Sequence, residues 1–193
     1  MLILHGSRNE NKIALTFDDG PNPYGTRKVL DILDKHNAKA TFFLIGKWVH
    51  EYPDIVNAIH REGHLIGVHG YNHSRIRNDS ARTSLEIAGI VGYRPTYIRP
   101  PYGNIFVYLP EVFSRETFVV LGDVWVYDWK RPKSNAIFET VSRNTRNGSI
   151  AILHDGSEKR NEQRRCEEMI KALPSIIDRL KKYDLVRLDQ MKF

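Results

Sequence analysis

The 193-residue sequence lacks the features that mark disulfide-rich, membrane-spanning or repeat proteins. Its only cysteine is Cys166, so no disulfide can form within the chain. No apolar run is long enough to span a bilayer. The sequence also lacks internal repeats, linkers and low-complexity segments. We therefore expect one domain over residues 1–193, held together by its own hydrophobic core.

The charge is moderately basic, with 29 Lys and Arg against 23 Asp and Glu and a net charge of +6. Because the basic residues are scattered, and the densest set (159–165) lies among glutamates, we favour a solvated surface over nucleic-acid binding. An acidic cell-wall polymer could still gain association rate from this charge.

The first residues, 1–6, are too short for the apolar core of a signal peptide. We expect a cytoplasmic protein as the sequence is written. If the sequence is the mature part of a longer chain, we expect a secreted or cell-envelope protein. The sequence does not indicate an oligomeric state.

Short apolar runs alternate with segments of helical spacing along the whole chain. The predicted strands are 13–17, 40–45, 65–68, 97–98, 118–121, 149–153 and 185–188. The predicted helices are 26–36, 47–61, 80–91, 106–115, 135–144 and 167–183. Alternating strands and helices indicate a parallel sheet. About seven such units favour a single α/β barrel or an open α/β sheet.

Polar clusters follow five of the predicted strands. They are Asp18-Asp19, His69, Arg99 to Gly103, Asp123 to Trp129, and His154-Asp155. In α/β barrels the functional residues project from the carboxyl ends of the strands. Side chains alternate between faces within a strand, so Asp18 and Asp19 can serve one pocket only where the strand ends. The Gly20-Pro21 turn marks that end, and the sequence predicts a site on one rim.

His69 and His73 are four residues apart, which on a helical turn would place both rings on one side. Such a pair alone is more often a solvated helix face. With a carboxylate from another strand end it becomes a three-ligand set that leaves room for water, as catalytic zinc requires. The same set suits non-haem iron, but the alternation of strands and helices favours hydrolysis. Taken alone, a histidine placed like His154 is more often the structural end of a core strand than a catalytic residue.

The segment Arg99-Pro100-Pro101-Tyr102-Gly103 is stiff because two prolines fix φ and remove two donors. Arg99 is a permanent cation that can pair with a carboxylate in a pocket. Tyr102 supplies the first backbone N–H after the prolines, which makes it a candidate donor to an oxyanion.

Five motifs, in order, resemble those of the polysaccharide deacetylases, the NodB-homology family of carbohydrate esterases. They are Thr16 to Pro21, His69 to His73, Arg99 to Gly103, Asp128-Trp129, and Leu153 to Asp155. The likeness extends from about Ile13 to Leu188. It implies an α/β fold, a distorted (β/α) barrel with about seven parallel strands.

The resemblance also implies roles for individual residues. The implied metal ligands are Asp19, His69 and His73, the implied catalytic residues are Asp18, Arg99, Asp128 and His154, and the implied substrate-binding residues are Pro101, Tyr102 and Trp129. Zinc is the implied cofactor, with cobalt or another divalent ion as alternatives. Asp18 would be the base, paired with Arg99, and His154 would protonate the departing amine, paired with Asp128.

The implied activity is removal of N-acetyl groups from amino sugars of a chitin-like oligomer or of peptidoglycan. Acetyl-xylan esterase and cyclic imide or ureide hydrolase activities remain open on the same scaffold. So does a catalytically weak member that binds glycan. A nucleic-acid-binding protein explains only the basic charge and none of the five clusters.

Three features depart from the family pattern. Gly70 stands where Ser or Thr is usual. The hydroxyl of a Ser or Thr would steady the histidine loop, and glycine lacks it. Trp125 stands where the fourth motif usually has its first Asp, and Asp123 is the nearest candidate to replace it. The stretch between His73 and Arg99 is short, which implies a trimmed helix.

Overall fold

Parallel strands and helices alternate in the computed structural model, which describes residues 1–76, 79–162 and 164–193. The strands are β1 (Leu2–Ile3), β2 (Lys12–Asp18), β3 (Thr41–Leu44), β4 (Leu65–Val68), β5 (Tyr97–Ile98), β6 (Phe118–Val120), β7 (Val124–Trp125), β8 (Ile150–His154) and β9 (Asp184–Leu185). The α-helices are α1 (Gly25–Lys35), α2 (Gly46–Glu51), α3 (Pro53–Arg61), α4 (Ser80–Val91), α5 (Leu109–Phe113), α6 (Ser134–Asn144) and α7 (Glu167–Leu180). Short 3₁₀ turns cover Pro101–Gly103, Ile105–Tyr108, Asp128–Lys130, Arg160–Glu162 and Leu188–Gln190.

Eight strands form one curved sheet in the order β1-β6-β5-β4-β3-β2-β8-β7, and β9 pairs with the start of β2. Every pair is parallel. Among the described residues β1 and β7 do not pair with each other, so the barrel is open between them. The predicted distorted (β/α) barrel is confirmed. The strand count is higher than the predicted seven.

The differences from the predicted elements have local causes. The two unpredicted strands, β1 and β7, have two residues each and are too short to show a periodic pattern. The helix predicted over 47–61 is two helices, α2 and α3, separated at Tyr52. Pro53 opens α3 because a proline fits the first turn of a helix but not its interior.

Alternate residues of β2 face two different environments. Ile13, Leu15 and Phe17 are buried in the large core between the sheet and the helices. Ala14 belongs to a smaller cluster inside the barrel. The strand ends at Asp18, which continues the series on the interior face. The carboxyl end of the barrel interior is therefore acidic.

The helices fix the strands from outside. The apolar face of α7 has helical spacing (Met169, Leu173, Ile176 and Leu180), and all four side chains are buried. This helix packs against α1 and α6. No helix in the described ranges has both the length and the apolar character needed to cross a membrane. The packed helices hold the carboxyl ends of the parallel strands at one rim.

Candidate active site

Asp18 and Asp19 reach the same cavity through a change of backbone conformation at the end of β2. Asp18 keeps the strand alternation, whereas Asp19 has a φ of 73°, in the left-handed region. Both side chains are buried and both line the cavity. The structure thus brings the acidic pair together at the bend where the sequence placed it.

His69 and His73 flank a loop between β4 and α4. Gly70 and His73 have φ values of 69° and 55°, so the segment is not helical. The four-residue spacing therefore does not act through a helical turn. The two rings still meet, with their centroids 5.0 Å apart. Two left-handed residues, rather than a helical repeat, turn the second histidine back toward the first.

The two histidines present the same ring nitrogen to Asp19. His69 Nδ1 lies 2.7 Å from the carbonyl oxygen of Arg99, which leaves its Nε2 facing Asp19 Oδ1 at 3.6 Å. His73 Nε2 lies 3.3 Å from the same oxygen. The ligand atoms of the three residues all lie within 4.8 Å of one another. They form a group that could hold a metal ion.

The chemistry of this group fits a divalent cation. Asp19 Oδ1 is buried and has no hydrogen-bond partner among the described residues. A buried oxygen without a partner is costly, and a cation at this point would offset that cost. Burial lowers the pKa of His73 to about 4, against the pull of Asp19, so its ring is neutral. Imidazole nitrogens and a carboxylate oxygen are the ligands of many catalytic zinc sites.

Asp18 forms a buried ion pair with Arg99. Arg99 Nη1 donates to Asp18 Oδ1 at 2.7 Å, and also to the hydroxyl of Thr16 at 2.7 Å. Burial raises the pKa of Asp18, but the charges of Arg99, His69 and His154 outweigh it, so the pKa lies below its usual value. Asp18 is therefore a carboxylate, and within the described part of the chain its ion pair with Arg99 is made through Oδ1. Arg99 comes from the stiff segment after β5.

His154 ends β8 and is held by Asp128. Its Nδ1 lies 2.7 Å from Asp128 Oδ1, and its backbone N–H donates to Asp128 Oδ2 at 2.8 Å. Burial opposes the charged ring, yet Asp128, with Asp18 and Asp19, raises the pKa of His154 to about 10. The ring is thus protonated near neutral pH. Because β8 pairs with β2, His154 lies opposite Asp18 in the sheet.

These groups surround a cavity of about 410 Å³. The lining residues that the motifs singled out are Asp18, Asp19, His69, His73, Arg99, Tyr102, Trp129 and His154. Further lining residues, which the sequence reasoning did not assign to the site, are Arg75, Pro100, Gly103, Leu121, Val126, Tyr127, Ile152, Glu158, Lys159 and Arg165. Trp125, noted only as a departure, also lines it. The cavity therefore has a charged floor and a partly aromatic wall.

Tyr102 forms one wall of the cavity and its neighbour Pro101 does not. The Tyr102 ring packs edge-on against the His73 ring at 4.5 Å, and the Arg75 guanidinium covers its other side at 3.7 Å. Pro101 is buried, and Pro100 is the proline of the cavity wall. Pro100 rather than Pro101 lines the cavity, and the contact of Pro101 with substrate stays a prediction.

The opposite wall is aromatic. Trp125, Tyr127 and Trp129 line the cavity and are each 40–49% exposed. Trp125 closes against Gly103, where an added Cβ would lie only 3.2 Å from the indole. The alternation of aromatic residues at 125, 127 and 129 was the sequence signal that could have identified this wall.

Asp123 does not replace the missing carboxylate of the fourth motif. It pairs with Arg8 at 2.7 Å and accepts from the backbone N–H of Ile150 at 2.8 Å. Ile150 begins β8, so this carboxylate anchors the end of the strand opposite His154. Trp125, at the position where the fourth motif usually has its first Asp, lines the cavity wall.

Comparisons with known proteins identify the family of this chain. The model of a family described as polysaccharide deacetylase matches residues 5–118, more than half of the chain. The chain is 38% identical to a peptidoglycan-N-acetylglucosamine deacetylase of Bacillus cereus over 158 residues, 77% of the chain. It is 35% identical to the peptidoglycan-N-acetylmuramic acid deacetylase PdaC of Bacillus subtilis over 192 residues, 95% of the chain. The crystal structure of the Bc1960 peptidoglycan N-acetylglucosamine deacetylase superimposes with a TM-score of 0.90 and 35% identity, covering 99% of this chain and 92% of that one.

The two curated relatives are longer than this chain. The match covers 58% of the Bacillus cereus protein and 39% of PdaC. The structural match nevertheless covers nearly the whole chain, and the resemblance inferred from the sequence is confirmed. The chain belongs to the polysaccharide deacetylase family.

Proposed function

We propose that this protein is a metal-dependent hydrolase that removes N-acetyl groups from amino sugars of a polysaccharide or oligosaccharide, such as peptidoglycan or a chitin-like oligomer. The main support is the convergence of a metal-ligand group, an ionised acid and a charged imidazole on one cavity. The activities named for the two curated relatives support the same class of substrate. Zinc is the ion we propose first, with cobalt or another divalent ion as alternatives.

Asp19, His69 and His73 would hold the ion. A divalent cation bound there supplies positive charge that polarises the amide carbonyl and lowers the pKa of a water molecule. The floor beside these residues is the Asp18 carboxylate. Its Oδ2 is free of Arg99 and would take the proton of the attacking water, and the guanidinium keeps the acid ionised until then.

His154 would complete the reaction on the other side of the scissile bond. Its Nδ1 is engaged by Asp128, so Nε2 is the atom that faces the cavity. A protonated Nε2 would donate its proton to the amide nitrogen as the C–N bond breaks. The products are acetate and a free amine on the sugar. The backbone N–H of Tyr102 is proposed to donate to the oxyanion that forms before this bond breaks.

The aromatic walls would bind the sugar. Tyr102 on one side and Trp129 on the other are partly exposed aromatic side chains, against which the apolar face of a pyranose can pack. Polar groups on the floor would then orient the acetyl group, because ligand sites combine apolar walls with a few placed polar atoms. This arrangement favours a carbohydrate over a small acyl compound without a ring.

The test is acetate release from N-acetylglucosamine oligomers and from purified peptidoglycan, with zinc or cobalt added to metal-free protein. Active wild-type protein with an Asp18→Asn variant slowed by about 10²–10⁴-fold supports the proposal. Full activity in that variant, or no acetate release from either glycan with any divalent metal, contradicts it. Metal analysis of the purified protein identifies the ion.

The same assay separates the alternatives. Acetylated xylan and cyclic imides or ureides, offered at equal concentration, test the ester and imide reactions on the same site. Faster turnover of any of these than of the N-acetyl glycans would replace the proposed substrate. Glycan binding without turnover and without bound metal would instead indicate a catalytically weak binding protein.

A further inference from the structure

Asp79 occupies the residue before α4 but does not cap that helix. Asp is a common N-cap residue because its side chain accepts from the N–H groups of the first turn. Here no such bond from the α4 backbone is present. The carboxylate is turned away from the helix and toward the loop that carries the two histidines.

The Asp79 carboxylate accepts three hydrogen bonds from that loop. The backbone N–H of Tyr71 donates to Oδ1 at 2.5 Å, and the backbone N–H of Asn72 donates to Oδ2 at 3.1 Å. The side-chain amide of Asn72 adds a longer contact to Oδ2 at 3.4 Å. Both backbone donors lie between His69 and His73. One acid thus fixes the segment that separates two of the three metal-ligand residues.

The carbonyl groups of the same loop are fixed from the other side. The backbone N–H of Gly46 and the hydroxyl of Thr83 donate to the Gly70 carbonyl at 3.0 and 2.9 Å. The backbone N–H of Lys47 donates to the Tyr71 carbonyl at 3.1 Å. Within the described residues, these bonds involve only the first part of the loop, so the part next to His73 depends on Asp79.

His73 needs this support more than His69 does. His69 Nδ1 is oriented by the carbonyl oxygen of Arg99 at 2.7 Å. His73 Nδ1 is buried and has no hydrogen-bond partner among the described residues. Its ring contacts Tyr102 edge-on and lies beside Asp19 and His69, but none of these contacts orients Nδ1. The position of His73 Nε2 therefore follows the position of the loop backbone.

Gly70 has no side chain, so residue 70 cannot support the loop with a hydroxyl as Ser or Thr would. A Cβ added there would lie 3.1 Å from Asp79 Oδ1, 3.2 Å from Pro101 Cγ and 3.3 Å from the hydroxyl of Tyr108. The carboxylate thus fills part of the space that a side chain at residue 70 would need. Its left-handed φ of 69° also disfavours any replacement.

We propose that Asp79 is a positioning residue that sets the geometry of His73 and thereby the metal affinity of the site. The proposal rests on the function proposed above, because it requires that Asp19, His69 and His73 hold a divalent ion. Asp79 acts through the hydrogen bonds to Tyr71 and Asn72 and does not itself reach the ion. Hydrogen-bonded groups that orient metal ligands typically change affinity by about 10–100-fold when they are removed.

The experiment measures zinc affinity of the metal-free full chain by competition with a chromophoric chelator. Asp79→Ala is expected to bind zinc about 10–100-fold more weakly than wild type. Asp79→Asn keeps one acceptor oxygen and the shape of the side chain, so it is expected to fall between the two. The conservative variant also gives a result if the alanine variant does not fold.

Asp123→Ala is the matched control. It also removes a carboxylate that accepts from a backbone N–H, but at the far end of β8 from His154. It is expected to lower the melting temperature and to leave zinc affinity within about twofold of wild type, which is the signature of a purely structural role. Wild-type affinity in both Asp79 variants would overturn the proposal while the metal site stands. Absence of zinc binding in wild-type protein would overturn the proposed function and this inference together.

Discussion

The pairing of His154 with Asp128 gives the most distinctive prediction, a change in pH dependence. Asp128 is the largest influence that favours the charged ring, whereas burial opposes it. Asp128→Asn keeps the size of the side chain and removes its charge. Burial then becomes the dominant influence on His154, opposed only by Asp18 and Asp19, so its pKa must fall. The variant loses its proton donor at a pH where wild type still has it.

The magnitude follows from the pKa of His154, which rises from an ordinary 6.5 to about 10. Each pKa unit corresponds to about 1.4 kcal/mol, so the folded environment favours the charged ring by roughly 5 kcal/mol. Removing the Asp128 charge should lower the pKa by about 2 units or more. At pH 9 that change leaves about 10% or less of the rings protonated, whereas about 90% are protonated in wild type.

The assay is kcat/KM for acetate release between pH 5 and 10, measured at saturating metal for both proteins. The basic limb of the profile is expected to move to lower pH by about 2 units in Asp128→Asn. The loss of rate is therefore larger at pH 9 than at pH 6, where a smaller loss remains because the ring is less well oriented. Asp123→Ala, which removes a carboxylate outside the cavity, serves as the control and should keep the wild-type limb.

Two outcomes would refute this reasoning. An equal loss of kcat/KM at every pH would mean that Asp128 orients His154 without setting its charge. A basic limb at the wild-type position, with full activity, would mean that the pair takes no part in proton transfer. Either result would remove His154 from the role of a charged donor tuned by Asp128.

Three further predictions concern stability. Because Asp128 raises the pKa of His154, the charged ring stabilises the fold fully below about pH 6.5, and this stabilisation is lost as pH rises through about 10. The melting temperature of wild type should therefore fall more between pH 7 and 10 than that of Asp128→Asn. Arg99→Met leaves the buried Asp18 without its partner, and urea unfolding should show a loss of about 3–5 kcal/mol; an unchanged midpoint contradicts this. Gly70→Ser should lower the melting temperature less in an Asp79→Ala background than in wild type, because the nearest clash is then absent; equal penalties contradict it.

The fold was predictable because its signals are long and repeated. Buried strands such as β2 and β8 are continuous apolar runs, and helices such as α7 have a clear apolar face. Strands of two residues, β1 and β7, have no period to detect. They form because neighbours in the sheet supply their hydrogen bonds, which is a tertiary effect.

The proximity of the candidate site residues was predictable, and their geometry was less so. Asp19, His69 and His73 come together as the motifs implied, but the histidines do so through left-handed backbone at residues 70 and 73. Sequence spacing alone cannot distinguish that loop from a helical turn, since both return the chain toward the same side. The sequence also gave no signal for Asp79, because a capping acid before a helix looks the same whether its side chain caps the helix or turns toward a loop.

The central claim is that Asp19, His69 and His73 bind one divalent ion at the floor of the cavity. Anomalous diffraction at the zinc absorption edge, from crystals grown after the metal-free protein is reloaded with zinc, tests it most directly. We predict one strong peak per chain among Asp19 Oδ1, His69 Nε2 and His73 Nε2, and no peak there in an Asp19→Ala crystal. A wild-type crystal with zinc at full occupancy elsewhere, and none among these three atoms, would contradict the account.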